Sequence, residues 1–163
     1  MARATRLSTV SWWIACEERT LTEEVPAAAD EVRGFYVDLN NIKLVHPLVV
    51  SVRSTGRTET ADGYVQTYRV RDRIPLGPFT VRTSYVARLD VPAVGAVITR
   101  ARQFPWVRLY SVVTFEQIQP GTRVVERMQI TAPRLLAAVT VREAVKAHIE
   151  MLAGVRRYFK QPL

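Results

Sequence analysis

The chain has 163 residues, one cysteine and two histidines. That is the length of one domain, with neither a disulfide framework nor the ligands for a zinc site. Hydrophobic residues make up 48% and charged residues 23%, a globular balance that leaves out low-complexity and disordered classes. The formal net charge of +8 raises a nucleic-acid reading, which the placement of the charges argues against. Residues 1–80 balance, while residues 81–163 hold 13 Lys and Arg against 5 Asp and Glu. Most of the excess arginines (Arg82, Arg88, Arg100, Arg102, Arg108, Arg123, Arg127) stand singly along extended segments. This is the pattern of a solvated sheet face and not of a phosphate-binding run. No nucleic-acid partner is expected; an anionic membrane surface or a carboxylate-bearing ligand suits such a face.

At the N-terminus Arg3 and Arg6 precede a short apolar stretch, Val10 to Cys16. It is too short to span a bilayer and makes a poor signal peptide. Residues 1–16 therefore read as an extension, with residues 17–163 as the domain, in a reducing, cytoplasmic setting. Residues 17–25 predict a first strand. Pro26 then opens a helix with Val32, Phe35, Tyr36 and Leu39 on one face, and a second short helix falls around Asn40–Leu44. His46-Pro47 ends it, because the residue before proline avoids the α region.

From there the period changes to two. Leu48–Ser54 predicts a strand and Thr55–Gly63 a polar turn. In the next strand Tyr64, Gln66, Tyr68, Val70, Asp72 and Ile74 share one face, with Arg69, Arg71 and Arg73 on the other; the arginines mark the outside. After Pro75-Leu76-Gly77-Pro78, the residues Phe79, Val81, Thr83, Tyr85, Ala87 and Leu89 turn inward. Val94–Gln103, Val107–Ile118 (Val107, Leu109, Ser111, Val113 and Phe115 inward) and Thr122–Thr131 complete the set. Short turns between these strands predict an antiparallel meander. Pro133 opens a long helix to about Lys160, with an apolar stripe of Ala138, Val141, Val145, Ile149, Leu152, Val155 and Phe159. The fold class is α+β, a curved sheet of six or seven strands gripping that helix.

The segment VPAAADEVRGFYVDLNNIKLVHPLVVSV, at residues 25–52, and the helix from Pro133 carry a resemblance to the START-like, or Bet v 1-like, helix-grip superfamily. The similarity is to the branch of polyketide cyclase/dehydrase and lipid-transport proteins. Val25-Pro26, Ala29-Asp30-Glu31-Val32, Asp38 and His46-Pro47 occupy the places of the family's strand end, small-residue helix, acid and strand entry. The tryptophan often found near Leu44 or Val45 is missing. The resemblance implies a cavity between sheet and helix for a hydrophobic small molecule, a lipid or polyketide-like compound. One scaffold, however, hosts binders and enzymes alike.

On the inward registers, Tyr64, Gln66, Tyr68, Tyr85 and Ser111 are the expected polar points of such a cavity, with Leu152 as an apolar wall. Trp106 either caps the cavity or anchors its loop. Glu126 and His46 are the candidates for proton transfer. Asp72, beside two arginines at a strand end, reads as half of a surface ion pair. His148, one residue off the apolar stripe, reads as boundary packing. No phosphate loop, dinucleotide fingerprint or metal-ligand cluster appears, so no cofactor or metal is expected. Carriage of an apolar ligand is the leading expectation. A polyketide cyclase-type enzyme comes second, and a protein-interaction module using the basic sheet face third.

Overall fold

A computed structural model describes residues 11–160 of the chain; Arg3 and Arg6, with the rest of residues 1–10, lie outside the described residues. The elements run β1 (Ile14–Val25), α1 (Ala29–Val37), α2 (Leu39–Val45), β2 (Val49–Thr60), β3 (Gly63–Leu76), β4 (Phe79–Pro92), β5 (Val97–Gln103), β6 (Val107–Ile118), β7 (Gly121–Pro133) and α3 (Arg134–Lys160). Seven strands form one antiparallel sheet in the order β1-β7-β6-β5-β4-β3-β2. The meander, the two short helices and the long terminal helix agree with the α+β expectation.

Alternation sets the faces. In β7, Val124, Glu126, Met128, Ile130 and Ala132 are all buried, while Arg123, Arg127 and Gln129 are exposed. In β3, Gln66, Tyr68, Val70 and Asp72 are buried, and Arg69, Arg71 and Arg73 face water. The arginines are thus the outer face throughout, as a pleated strand with one solvated side requires.

Two boundaries and one helix orientation differ from expectation. β1 begins at Ile14, because Ile14 to Cys16 pair with Thr131 to Pro133 of β7, so the last residues of the supposed extension belong to the sheet. Residues 55–60 are strand and not turn: β2 continues to Thr60 along β3 through a register shift between Ser54 and Gly56. Its polar composition reflects an edge strand with little to bury on either side. Finally, the apolar stripe of α3 does not face the sheet squarely. Ile149 is 51% exposed and Ala138 is exposed. With Val141 and Val145 these residues line a groove against Ala15, Glu17 and Arg19 of β1. The cavity-facing side carries Thr140, Ala144, Ala147, His148 and Met151, while Val141, Leu152 and Val155 of the stripe are buried in the core beside it.

The interior is solid at one end only. Val25, Val32, Phe35, Tyr36, Ile42, Val113, Val124, Met151, Leu152 and Val155 form one packed cluster beneath the C-terminal half of α3. Asp38 caps α2 by accepting a hydrogen bond from the Asn40 backbone N–H at 2.9 Å, and Gln117 Oε1 accepts from the Ala29 N–H at 3.0 Å. Both satisfy donors that a helix start leaves unpaired. At Gly154 the helix passes so close to α2 that an added Cβ would lie 2.8 Å from Val45 Cβ and 3.1 Å from its carbonyl oxygen.

Two helical glycines therefore give opposite expectations. Gly154→Ala should destabilise the fold by about 1–3 kcal/mol through forced separation of α2 and α3. Gly34→Ala, where a Cβ meets nothing within 4 Å, should stabilise it by roughly 0.5–1 kcal/mol through helix propensity. Urea denaturation of the two variants checks the signs.

Candidate functional site

The other end of the interior is hollow. Between the inward face of β3, β4 and β5 and the N-terminal half of α3 lies a cavity of about 320 Å³. Val52, Val70, Ala87, Leu89, Ala101, Leu109, Ile130, Ala144 and Met151 make most of its wall. Small residues on the facing surfaces explain the space: Ala87 and Ala101 sit directly opposite each other on β4 and β5, and Ala144 and Ala147 face them from α3. The far end of the cavity is closed by the packed cluster. The near end is lined by Leu76, Val81, Phe104, Pro105 and Leu136, where two turns and the start of α3 meet.

The polar groups of this wall converge. Glu126, 0% exposed, points inward from the middle of β7. His148 Nδ1 donates to it, 3.0 and 3.1 Å from the two carboxylate oxygens. The Tyr36 hydroxyl donates to the same carboxylate at 3.4 Å. With Nδ1 held, Nε2 is the His148 nitrogen left for a cavity occupant. The His46 ring meets that of His148 edge-on, 5.6 Å between centroids. His46 Nδ1 accepts from the Leu48 N–H at 3.3 Å, which leaves its Nε2–H as the donor. Asp72 and Thr83, directly opposite on β3 and β4, both line the cavity. Asp72 Oδ1 and Thr83 Oγ1 are buried without a hydrogen-bond partner among the described residues.

These contacts set the protonation. Burial by itself would lower the His148 pKa, but the charge and hydrogen bond of Glu126, helped by Asp72, hold it above the usual 6.5. His46 is pushed down to about 3 by burial and then by the charge of His148, so it stays neutral. Burial raises Asp72 to about 6, against the opposing pull of the Tyr85 hydroxyl and of His148. Tyr36 and Tyr85 are both driven up, by burial first and by Glu126 and Asp72 respectively. The wall therefore offers one imidazole that holds its proton more firmly than usual, one neutral imidazole and one carboxyl that titrates at about 6. Such groups can hold the polar end of a ligand or move a proton.

Tyr85 and His46 fall on the cavity wall, and Glu126 stands behind it through His148. The other expected residues lie elsewhere. Gln66 donates to Ser54 Oγ at 2.7 Å and to the Gly56 carbonyl at 2.9 Å, so it fastens the irregular part of β2. Tyr64 is covered by the Arg57 guanidinium, 3.7 Å from its ring centre. The Tyr68 hydroxyl reaches the Val37 carbonyl at 3.5 Å. Ser111 is buried outside the wall and Leu152 belongs to the packed cluster. Trp106 packs edge-on against Trp13 at 5.1 Å with φ 54°, a conformation that bulky residues rarely adopt. It anchors the turn beside the cavity and does not cap it. Two expectations are overturned outright. Asp72 is 7% exposed and forms no surface ion pair with its arginine neighbours, because its register and not those neighbours decides its face. The His148 side chain is 14% exposed and bonded to Glu126, because α3 is rotated relative to its apolar stripe.

No family model matches the sequence, and no curated protein matches it. Solved structures do match. A protein from Thermus thermophilus, TTHA0849, superposes with a TM-score of 0.71 at 17% identity, over 88% of this chain and 97% of its own. The Zhui aromatase/cyclase from Streptomyces sp. R1128 gives 0.62 at 19%, over 90% and 96%. A STAR-related lipid transfer protein from Xanthomonas axonopodis gives 0.57 at 17%, over 93% and 96%. The fold is the helix-grip fold. In helix-grip terms, the cavity lies in the grip between sheet and terminal helix, and no helix among the described residues is long and apolar enough to cross a membrane.

Two measurements test the electrostatics. In an NMR titration, one imidazole should titrate above 6.5 and the other stay neutral to about pH 3; Glu126→Gln should lower the first, since burial is then opposed by Asp72 alone. Asp72 has a folded pKa of about 6 against 3.8 unfolded, so its ionisation destabilises the fold as pH rises through that window and stays costly above it. Asp72→Asn should therefore be more stable than the wild type at pH 8 by about 1–3 kcal/mol and lose that advantage by about pH 4. Denaturant melts at both pH values decide it.

Proposed function

We propose that this protein binds and carries an apolar small molecule in the sheet–helix cavity, with the polar end of that molecule against His148, His46 and Asp72. The observation that carries the reading is the cavity itself. It is apolar over most of its wall, open at one end, and fitted with a few polar groups at one place, which is how small-molecule sites are built. Its volume lies at the low end of the usual range of about 300–1,000 Å³, which favours a compact ligand or a single short chain over a diacyl lipid. The names of the neighbours support the same class: one is called a lipid transfer protein and another an aromatase/cyclase.

A second reading rests on the Glu126–His148 dyad. A buried carboxylate that fixes one imidazole nitrogen and leaves the other toward a cavity is the usual construction of a general base. With Asp72 across the wall as the opposite proton partner, the site could close or dehydrate a ring as a cyclase-type enzyme. Carriage needs only the cavity, whereas catalysis needs the dyad as well.

Native mass spectrometry after incubation with a mixed lipid extract should show a single retained species. Ala144→Phe, which fills the cavity from α3, should weaken a bound hydrophobic fluorescent probe such as anilinonaphthalene sulfonate at least about tenfold. Tyr68→Phe should leave that affinity unchanged, because Tyr68 is spent on Val37. A probe that binds Ala144→Phe as well as the wild type would sink the cavity reading. If the retained species is converted on incubation, and His148→Gln stops conversion of the ligand that is still bound, the enzyme reading replaces carriage.

A further inference from the structure

The rim of the cavity has a chemistry that neither carriage nor catalysis explains. Antiparallel pairing brings four chain segments to this end of the sheet: the start of β1, the β3–β4 turn, the β5–β6 turn and the β7–α3 junction. Each presents large apolar side chains to water. Trp12 is 83% exposed, Phe79 74%, Phe104 84%, Trp106 61% and Leu135 99%. Side chains of that size at four adjacent tips form a ring around the opening, which Leu76, Val81 and Leu136 continue inward. Exposed apolar clusters of this kind mark interaction surfaces.

Positive charge predominates around the ring, the acids nearest it being Glu17 and Glu18 of β1, which are engaged by Arg19 and Gln129. Arg73 stands directly opposite Arg82 across β3 and β4, and Arg102 directly opposite Arg108 across β5 and β6. Like charges in that position repel. A comparable pair, Arg88 and Arg100, shares the Asp90 carboxylate, but the two pairs at the rim have no carboxylate within ion-pair distance among the described residues. Arg134 adds a fifth exposed cation. Residues 73–89, 101–115 and 131–142 contain no acid at all. A further opposed pair, Arg53 and Arg69, stands away from the rim; what sets the rim pairs apart is that they lie beside the exposed apolar side chains and in acid-free stretches of strand.

We infer that this rim docks on an anionic lipid bilayer, with Phe79, Phe104, Trp106 and Leu135 entering the headgroup region and the four strand arginines contacting phosphates. A planar, extended surface can meet four separated tips at once. Aromatic side chains are at home at the membrane interface. Each arginine near an anionic surface raises partitioning about fivefold at low ionic strength. Docked this way, the cavity opens into the apolar layer, so a ligand passes between bilayer and protein without crossing water. The inference stands on the rim and is independent of whether the cavity carries or converts its ligand.

The test uses the full chain and vesicles of phosphatidylcholine with or without phosphatidylglycerol. The three tryptophans, Trp12, Trp13 and Trp106, all sit at the rim, so intrinsic fluorescence reads insertion directly. Cosedimentation should require phosphatidylglycerol and weaken with salt, and the emission should shift to the blue and be quenched by brominated lipid. Phe79→Ser with Phe104→Ser should abolish quenching. Arg102→Glu with Arg108→Glu should weaken binding at least about tenfold. The control is Arg53→Glu with Arg69→Glu, another opposed pair, farther along β3 from the rim, with the same change in net charge. Circular dichroism melts confirm that all variants fold. Binding without quenching, or equal losses in the control and rim variants, would mean adsorption through the sheet face and overturn the inference. No binding to either vesicle would overturn it as well and leave the rim to an acidic protein partner.

Discussion

The buried carboxylate of Glu126 is the constraint around which the rest of the domain is arranged. It sits in the middle of β7, fully shielded, on a register that also points Val124 and Met128 inward. An isolated charge in that place would cost far more than the fold could bear, so a counter-charge must reach it. Only α3 crosses this part of the sheet with a suitable group, and His148 supplies it. Meeting Glu126 fixes the rotation of a 27-residue helix. Ile149 is thereby turned outward, while Ala144 and Ala147 face the sheet. A helix rotated far enough to bury Ile149 would turn Ala144 and His148 away from the space that is now the cavity.

The same arrangement divides the interior into two halves with different work. Beneath the C-terminal half of α3, Phe35, Leu152 and Val155 pack with α1 and α2, and Gly154 lets the helix approach Val45 closely. That half provides the rigidity. Beneath the N-terminal half, small residues on β4, β5 and α3 leave volume unfilled, and a domain of this size can tolerate the lost packing only because the other half is dense. Unpartnered Asp72 Oδ1 and Thr83 Oγ1 lie in the open half. Buried polar atoms are nearly always satisfied in a finished core; here they are the side of the wall that a ligand or water completes.

Much of this is legible in the sequence because two periodicities are strict. The alternation of Tyr68, Val70 and Asp72 with Arg69, Arg71 and Arg73 allows one orientation of β3, and it is the orientation observed. The order of elements follows from Pro26, His46-Pro47 and Pro133. What escapes the sequence are relations between elements. Asp72 has arginines as neighbours in the chain, but its neighbours across the sheet, Thr83 and the space beyond, decide its state. His148 lies off the stripe of its own helix, but Glu126, on another element, sets the rotation. Tyr64 and Gln66 have the inward register expected of wall residues, yet the curvature and irregular edge of β2 engage them first. Alternation identifies a face; it does not say which stretch of that face is packed and which is hollow.

That distinction bears on how activity is divided between the two ends. The wall groups are buried and nearly charge-balanced, so they discriminate among ligands already inside but attract few from a distance. The rim arginines are exposed, unbalanced and set in opposed pairs, a configuration whose repulsion is relieved only by an external anion. On the proposed docking, selection and capture fall to different residues by their dielectric surroundings. A substitution at Arg102 or Arg108 changes how often the opening meets a charged surface, and one at His148 or Asp72 changes what stays once inside. Because the two sets share no hydrogen bond and stand on opposite faces of the sheet or at opposite depths of the cavity, their effects should add. A double variant across the sets that showed strong coupling would mean that the opening itself changes shape on docking, with β3 and its turn into β4, which carry both Asp72 and Arg73, as the element that moves.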